Sequence, residues 1–113
     1  MKLLLYIQSF YFLITALWPL LHMRSFLKIT GPKTDLWLVR TVAVLLLAIS
    51  TCFFLSLLSG ELSLPVRALA AVSAALLAMI DFYYSLKGTI SKVYLIDGVL
   101  EILFLVAWII LLA

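Results

Sequence analysis

Residues 93–113 read VYLIDGVLEILFLVAWIILLA, a segment long and apolar enough to cross a bilayer that nevertheless carries two carboxyl groups. Asp97 and Glu101 lie four residues apart and therefore share one face of a helix. A charge near the middle of a membrane costs at least about 2.5–3.5 kcal/mol, so such a side chain usually faces a partner or water. The pair predicts a polar site within a membrane-spanning helix.

The rest of the chain is similarly apolar. Of its 113 residues, 67% are hydrophobic and only 12% are charged, whereas soluble domains are about 45–50% apolar. The net charge of +3 comes from scattered lysines and arginines rather than from a basic stripe with interleaved aromatics, which argues against nucleic-acid binding. The single cysteine, Cys52, excludes an intrachain disulfide and a metal site built on cysteines.

Four hydrophobic runs predict membrane-spanning helices at about residues 3–22, 36–58, 65–86 and 93–113. Backbone polar groups in lipid must be satisfied internally, so each run is expected to be helical. The predicted fold is all-α, an integral membrane antiparallel four-helix bundle that forms a single domain over residues 1–113. Residues 23–29 mix apolar and basic side chains and predict a short interfacial helix.

Turn and capping residues separate the four runs. Gly60 and Gly88 follow the second and third runs, where glycine commonly ends a helix. Pro65 suits the first turn of the third helix, and Ser91 can cap the fourth. Pro19 either kinks the first helix or marks its last turns.

The distribution of basic residues predicts the orientation. Two connections, after the first and third spans, hold most of the positive charge: Arg24, Lys28, Lys33, Lys87 and Lys92. The opposite side has Lys2 and Arg67, opposed by Glu61. The positive-inside rule then places the basic connections in the cytoplasm and both termini in the periplasm of an inner membrane. The first apolar run is too long for a signal-peptide core, so we expect a retained span.

Every predicted span brings an ionisable group toward the same half of the membrane. The depth of each group is counted from the cytoplasmic end of its helix, at a rise of about 1.5 Å per residue. Arg40, Asp81 and Asp97 then lie roughly 6–8 Å inside the membrane, and Glu101 lies roughly 12–13 Å inside. Helices that each contribute such a group can form one site between them. The candidate ligand-binding residues are Glu101, Asp97, Asp81, Arg40, His22, Trp18 and Tyr94.

Stripes at helical spacing predict which faces turn inward. On the first helix the stripe is Gln8, Tyr11, Thr15, Trp18 and His22. On the second it is Trp37, Arg40, Val44, Leu47 and Thr51. On the third it is Arg67, Ala71, Ala74, Ala78 and Asp81. On the fourth it is Tyr94, Asp97, Glu101, Phe104 and Trp108.

Three acids facing one arginine would carry about −2 if all were ionised, a costly state in a low dielectric. Protons on one or two acids, a bound cation, or water entering from the cytoplasm would each resolve this. Simpler interpretations also stand. Arg40 can snorkel to the interface, Asp81 can pair at its helix end with Arg40 or a lysine, and Gln8 can form a hydrogen bond between helices.

Two stretches, WPLLHMRSF at residues 18–26 and TGPKTDLWLV at residues 30–39, together with the region from Asp81 to Glu101, resemble a group of small bacterial inner-membrane proteins of unknown function. The resemblance covers most of the chain and implies a membrane location without an activity. Small multidrug transporters are similar in length and span number, but their key glutamate is in the first helix, where this chain has no acid.

The leading hypothesis is binding, with or without transport, of a small cationic or amphipathic ligand. Glu101 and Asp97 would carry the charge, Asp81 would assist, and Arg40 would modulate their ionisation. Transport would require a homodimer, because four short helices leave little room for a pathway. The alternatives are a structural or accessory membrane subunit and an intramembrane lipid-modifying enzyme. We expect no cofactor, no metal and no nucleic-acid partner, and no catalytic nucleophile constellation stands out.

Overall fold

The computed structural model describes residues 2–112, and these residues form five helices with no strand among them. The helices are α1 (Lys2–Leu21), α2 (Met23–Thr30), α3 (Leu36–Ser59), α4 (Leu64–Lys87) and α5 (Tyr94–Leu112). The four long ones are each apolar and long enough to cross a membrane, and they match the four predicted spans. The predicted short helix between the first two spans is also present, as α2.

The predicted helix ends are confirmed where glycine allows a left-handed backbone. Gly60 and Gly88 follow α3 and α4 with φ of 79° and 80°, and their N–H groups bond to carbonyls of the preceding turn. That conformation is unfavourable for other residues and satisfies carbonyls that the helix leaves unpaired. Pro65 lies in the first turn of α4, where its missing N–H costs nothing.

The corner between α1 and α2 follows Pro19. This proline lies near the end of α1, which stops at Leu21, so it marks the last turns of the helix. His22 then caps α2, since its Nδ1 accepts a hydrogen bond from the N–H of Ser25 at 3.1 Å. The chain therefore changes direction directly after the first long helix.

The long helices pack mainly in two pairs, α1 with α3 and α4 with α5. Contacts between the pairs are sparser and run between α1 and α5 and between α3 and α4. All four nevertheless contribute to one apolar core: Leu5, Phe12, Ala16, Leu46, Phe53, Leu57, Ala70 and Trp108. On α4 and α5 the core residues Ala70 and Trp108 lie about two to three turns from the carboxyl groups.

The inward face of α3 differs from the sequence prediction. Trp37, Arg40, Val44 and Thr51 are exposed, and the buried positions are Ala43, Leu46, Ser50, Phe53, Ser56 and Leu57. This helix is apolar on nearly every side, so periodicity does not mark an inward face. Packing against α1 decided it, and small Ala43 and Ser50 allow a close approach.

The other three helices follow their predicted faces more closely. Glu101, Phe104 and Trp108 of α5 are buried, as are Ala74, Ala78 and Asp81 of α4. On α1 the buried stripe is rotated slightly from the predicted one. It comprises Leu5, Gln8, Ser9, Phe12, Ala16 and Pro19, and Tyr11 is half-buried beside it.

Candidate functional site

Three carboxyl groups from two neighbouring helices come together. Asp97 and Glu101 lie on α5, and Asp81 lies on the facing side of α4. Asp81 and Glu101 are only 6% and 1% exposed, and Asp97 is half-buried. The Asp81 side chain packs against the turn of α5 that carries Asp97, and Glu101 follows one turn later on the same face of α5. We call these three residues the carboxyl cluster.

Close packing of α4 against α5 positions the cluster. A methyl group at Gly98 would lie 3.0 Å from Cε2 of Phe82 and 3.3 Å from Cβ of Asp81. Real Cβ atoms rarely approach this closely, so glycine at this position allows the helices to touch. Asp81 is thereby held against the turn of α5 that carries Asp97.

Tyr11 of α1 completes the surroundings of Asp97. Its hydroxyl donates a hydrogen bond to Oδ1 of Asp97. Its ring packs against Phe104 with centroids 5.6 Å apart. The sequence placed Tyr11 on the inward stripe of α1 but not in the site. One sequence feature could have placed Tyr11 in the site: it lies three residues after Gln8, on the same polar face of α1.

Two carboxyl oxygens in the cluster have no partner. Oδ2 of Asp81 and Oε2 of Glu101 are buried and accept no hydrogen bond. An unsatisfied buried acceptor costs about 1–3 kcal/mol, and more if it is charged. The two oxygens are therefore the part of the protein best suited to accept a proton, a water molecule or a cation.

The predicted guanidinium is not brought to the cluster. Arg40 lies on the exposed side of α3, and the buried oxygens Oδ2 of Asp81 and Oε2 of Glu101 have no hydrogen-bond partner. Arg67 is on α4 itself but lies about four turns from Asp81, roughly 21 Å along the helix. The expectation that Arg40 lies beside the acids and modulates their ionisation is therefore corrected, because α3 packs with a different face inward than its sequence predicted.

Three further predicted site residues, His22, Trp18 and Tyr94, lie near α2 and the loop that follows it. His22 is exposed and caps α2. Trp18 donates from Nε1 to Oγ of Ser25 at 2.9 Å. Tyr94 begins α5, and Nζ of Lys33 lies 5.2 Å from its ring centroid. These contacts hold α2 and its following loop in place, and none of them involves a carboxyl of the cluster.

A separate buried network links the helices near the core. Nε2 of Gln8 donates to the carbonyl of Ala70 at 2.9 Å, and Nε1 of Trp108 donates to Oε1 of Gln8 at 2.6 Å. Ser50 donates to the carbonyl of Ser9 at 2.9 Å. These bonds connect α1 with α3, α4 and α5, and they confirm the prediction that Gln8 bonds between helices. The role of this network is structural.

Two surface pockets lie away from the carboxyl cluster. One is lined by Cys52, Leu55, Ser56, Ser59, Glu61, Ser63 and Val66, near the connection between α3 and α4. The other is lined by Thr30, Gly31, Pro32, Lys33, Gly88, Thr89, Ile90 and Ser91, between the two basic connections. Among the described residues, no group of three histidine, cysteine or acidic side chains is arranged to hold a metal ion. Neither pocket is lined by a residue of the carboxyl cluster, so the cluster opens onto neither of them. It lies instead where α4 and α5 pack closely at Gly98.

Comparison with protein-family models, with curated protein sequences and with solved structures finds no match to this chain.

Proposed function

We propose that this protein is a membrane-embedded four-helix bundle that binds a small cation at the carboxyl cluster, in exchange with protons. The observation that carries the proposal is the pair of buried, unpartnered oxygens, Oδ2 of Asp81 and Oε2 of Glu101. They lie in helices apolar enough to span a bilayer. Intramembrane carboxyls are expensive and commonly mark ion or proton sites.

Charge balance supports exchange between protons and a cation. The cluster contains three acids, and no lysine or arginine bonds to the buried oxygens Oδ2 of Asp81 and Oε2 of Glu101. In a low dielectric three adjacent carboxylates repel one another strongly. Protons remove that repulsion when the site is empty, and a cation that displaces a proton removes it when the site is filled.

The packing favours a small ligand over a bulky amphipathic one. At Gly98 even a methyl group would contact Phe82 and Asp81 too closely, so α4 and α5 leave little space beside the cluster. A cation the size of ammonium or methylammonium fits such a site better than a multi-ring amine. Transport across the bilayer would use a second copy of the chain, because one set of four helices offers no room for a pathway.

A structural or accessory role is the second candidate. The buried bonds of Gln8 with Trp108 and Ala70 show that this chain uses polar groups to hold its helices together. In this role the carboxyl cluster would also hold helices together, through the hydrogen bond from Tyr11 of α1 to Asp97 of α5. The two candidates differ in what happens when one carboxyl is neutralised.

The test compares Glu101→Gln with Glu61→Gln, an identical change at an exposed acid outside the cluster. Methylammonium binding is measured by calorimetry on the purified chain in detergent, at several pH values. We expect binding by the wild type and by Glu61→Gln, and loss of binding by a Glu101→Gln protein that remains monodisperse. Binding should weaken as the pH falls and release protons, because protons compete for the same oxygens.

Two results would contradict the cation-binding proposal. The first is that no methylammonium binding is detected at any pH while Glu101→Gln loses assembly, which would favour the accessory role. The second is binding that Glu101→Gln retains in full, which would place the ligand elsewhere.

A further inference from the structure

The three carboxyls of the cluster are not equivalent in their hydrogen bonding. Asp97 is already engaged, since its Oδ1 accepts a hydrogen bond from the hydroxyl of Tyr11. Asp81 and Glu101 each retain one buried oxygen without a partner. The acceptors available to a ligand therefore belong to two helices, Oδ2 of Asp81 on α4 and Oε2 of Glu101 on α5.

From this division we infer that the site selects cations that donate hydrogen bonds, namely ammonium or a primary alkylammonium. Its N–H groups would satisfy Oδ2 of Asp81 and Oε2 of Glu101, and Asp97 would act as a positioning residue held by Tyr11. The inference rests on the proposed cation-binding function and adds the chemical class of the ligand.

Hydrogen-bond chemistry separates this class from cations of other types. A buried acceptor that keeps no donor retains its full desolvation cost, so a ligand with N–H groups gains most at these oxygens. A tetraalkylammonium ion has no donor and is normally held by several aromatic faces. Beside the cluster, the ring of Tyr11 packs on Phe104 and the ring edge of Phe82 packs on Gly98, so these rings face the helices.

An alkali cation fits less well for a different reason. It requires several oxygen ligands converging on one point, and the cluster offers two buried unpartnered oxygens. Potassium is close to ammonium in size but donates no hydrogen bond. A comparison of ammonium with potassium therefore isolates hydrogen-bond donation, the property on which the inference depends.

The experiment is a calorimetric comparison of the chloride salts of ammonium, methylammonium, potassium and tetramethylammonium with the purified full chain in detergent. We expect ammonium and methylammonium to bind at least about tenfold more tightly than potassium or tetramethylammonium, the difference that one to two net hydrogen bonds give. Equal or tighter binding of potassium or tetramethylammonium would overturn this inference and leave the cation-binding function standing. If none of the four salts binds, the proposed function itself fails.

The positioning role of Asp97 is tested through Tyr11→Phe, with Tyr6→Phe as the control because Tyr6 is an exposed tyrosine on the same helix. Removing the Tyr11 hydroxyl frees Oδ1 of Asp97 and adds an acceptor to the site. Potassium, which requires several oxygen ligands, should gain more from this added oxygen than ammonium does. We expect the ratio of ammonium to potassium affinity to fall at least threefold in Tyr11→Phe and to stay unchanged in Tyr6→Phe. An unchanged ratio in a folded Tyr11→Phe protein would show that Asp97 positions nothing.

Discussion

At the scale of single residues, buried polar groups in this protein fall into two kinds. Both ends of the Gln8 amide are bonded, since its nitrogen donates to the carbonyl of Ala70 and its oxygen accepts from Trp108. The carboxyls of Asp81 and Glu101 are each left with an oxygen that has no partner. Satisfied groups of the first kind hold helices together, whereas unsatisfied groups of the second kind are available for binding.

The Gln8–Trp108 bond should contribute measurably to stability. Gln8→Leu leaves Nε1 of Trp108 without its acceptor, and we expect a loss of about 1–2 kcal/mol in the free energy of unfolding. Thr41→Val is the control, because Thr41 is exposed and bonds only within its own helix, and it should cost less than about 0.5 kcal/mol.

Denaturant titration of Gln8→Leu, Trp108→Phe and the double variant isolates the bond itself. A coupling energy of about 0.6 kcal/mol or more is expected for a hydrogen bond between membrane helices. Additive effects of the two single changes would show that the bond contributes nothing beyond packing.

At the scale of the helix, small side chains determine how closely α4 approaches its neighbours. Ala70, Ala74 and Ala78 recur every four residues along one face of α4 and are almost completely buried. Further along α4, Phe82 and Asp81 pack directly on Gly98 of α5, where no side chain intervenes. Where lipid surrounds a protein, helix association depends on such close packing rather than on a hydrophobic driving force.

A larger side chain on the face of α4 that carries Ala70, Ala74 and Ala78 should push α4 away from the helices packed against it. Ala74→Leu adds three carbons to a completely buried side chain, and we expect a loss of about 1–3 kcal/mol in stability. Ala68→Leu, the same change at an exposed position of α4, should be nearly neutral. Thermal unfolding in detergent compares the two variants, and equal effects would contradict the assignment of the packed face.

At the scale of the whole molecule, the two basic connections lie together. The pocket between them is lined by Thr30–Lys33 of one connection and Gly88–Ser91 of the other, so both are on the same side of the molecule. This agrees with four helices that cross and recross between two surfaces. The direction of insertion stays a prediction based on the excess of lysine and arginine in these connections.

Cysteine labelling tests that direction. In a Cys52→Ser background, Thr89→Cys places a thiol in an exposed basic connection, and Ser63→Cys places one in the exposed connection between α3 and α4. With a membrane-impermeant maleimide on intact bacterial cells, Ser63→Cys should react, and Thr89→Cys should react only after permeabilisation. The reverse pattern would invert the predicted topology.

The amino-acid sequence by itself determined the helices. Runs of apolar residues of bilayer length, the left-handed glycines at 60 and 88, and the proline at 65 act locally. Their effects follow from backbone geometry and from the need to satisfy backbone hydrogen bonds. For the same reason the sequence identified the polar face of α5, because Asp97 and Glu101 stand out against an apolar background.

The tertiary structure alone decided which groups meet. In α3 almost every side is apolar, so only its packing against α1 turned Arg40 outward and away from the acids. The hydrogen bond from Tyr11 to Asp97 joins residues 86 positions apart, and no local pattern encodes it. Contacts between helices depend on the shapes of both surfaces at once, which is why a site of carboxyls without a guanidinium emerged only in three dimensions.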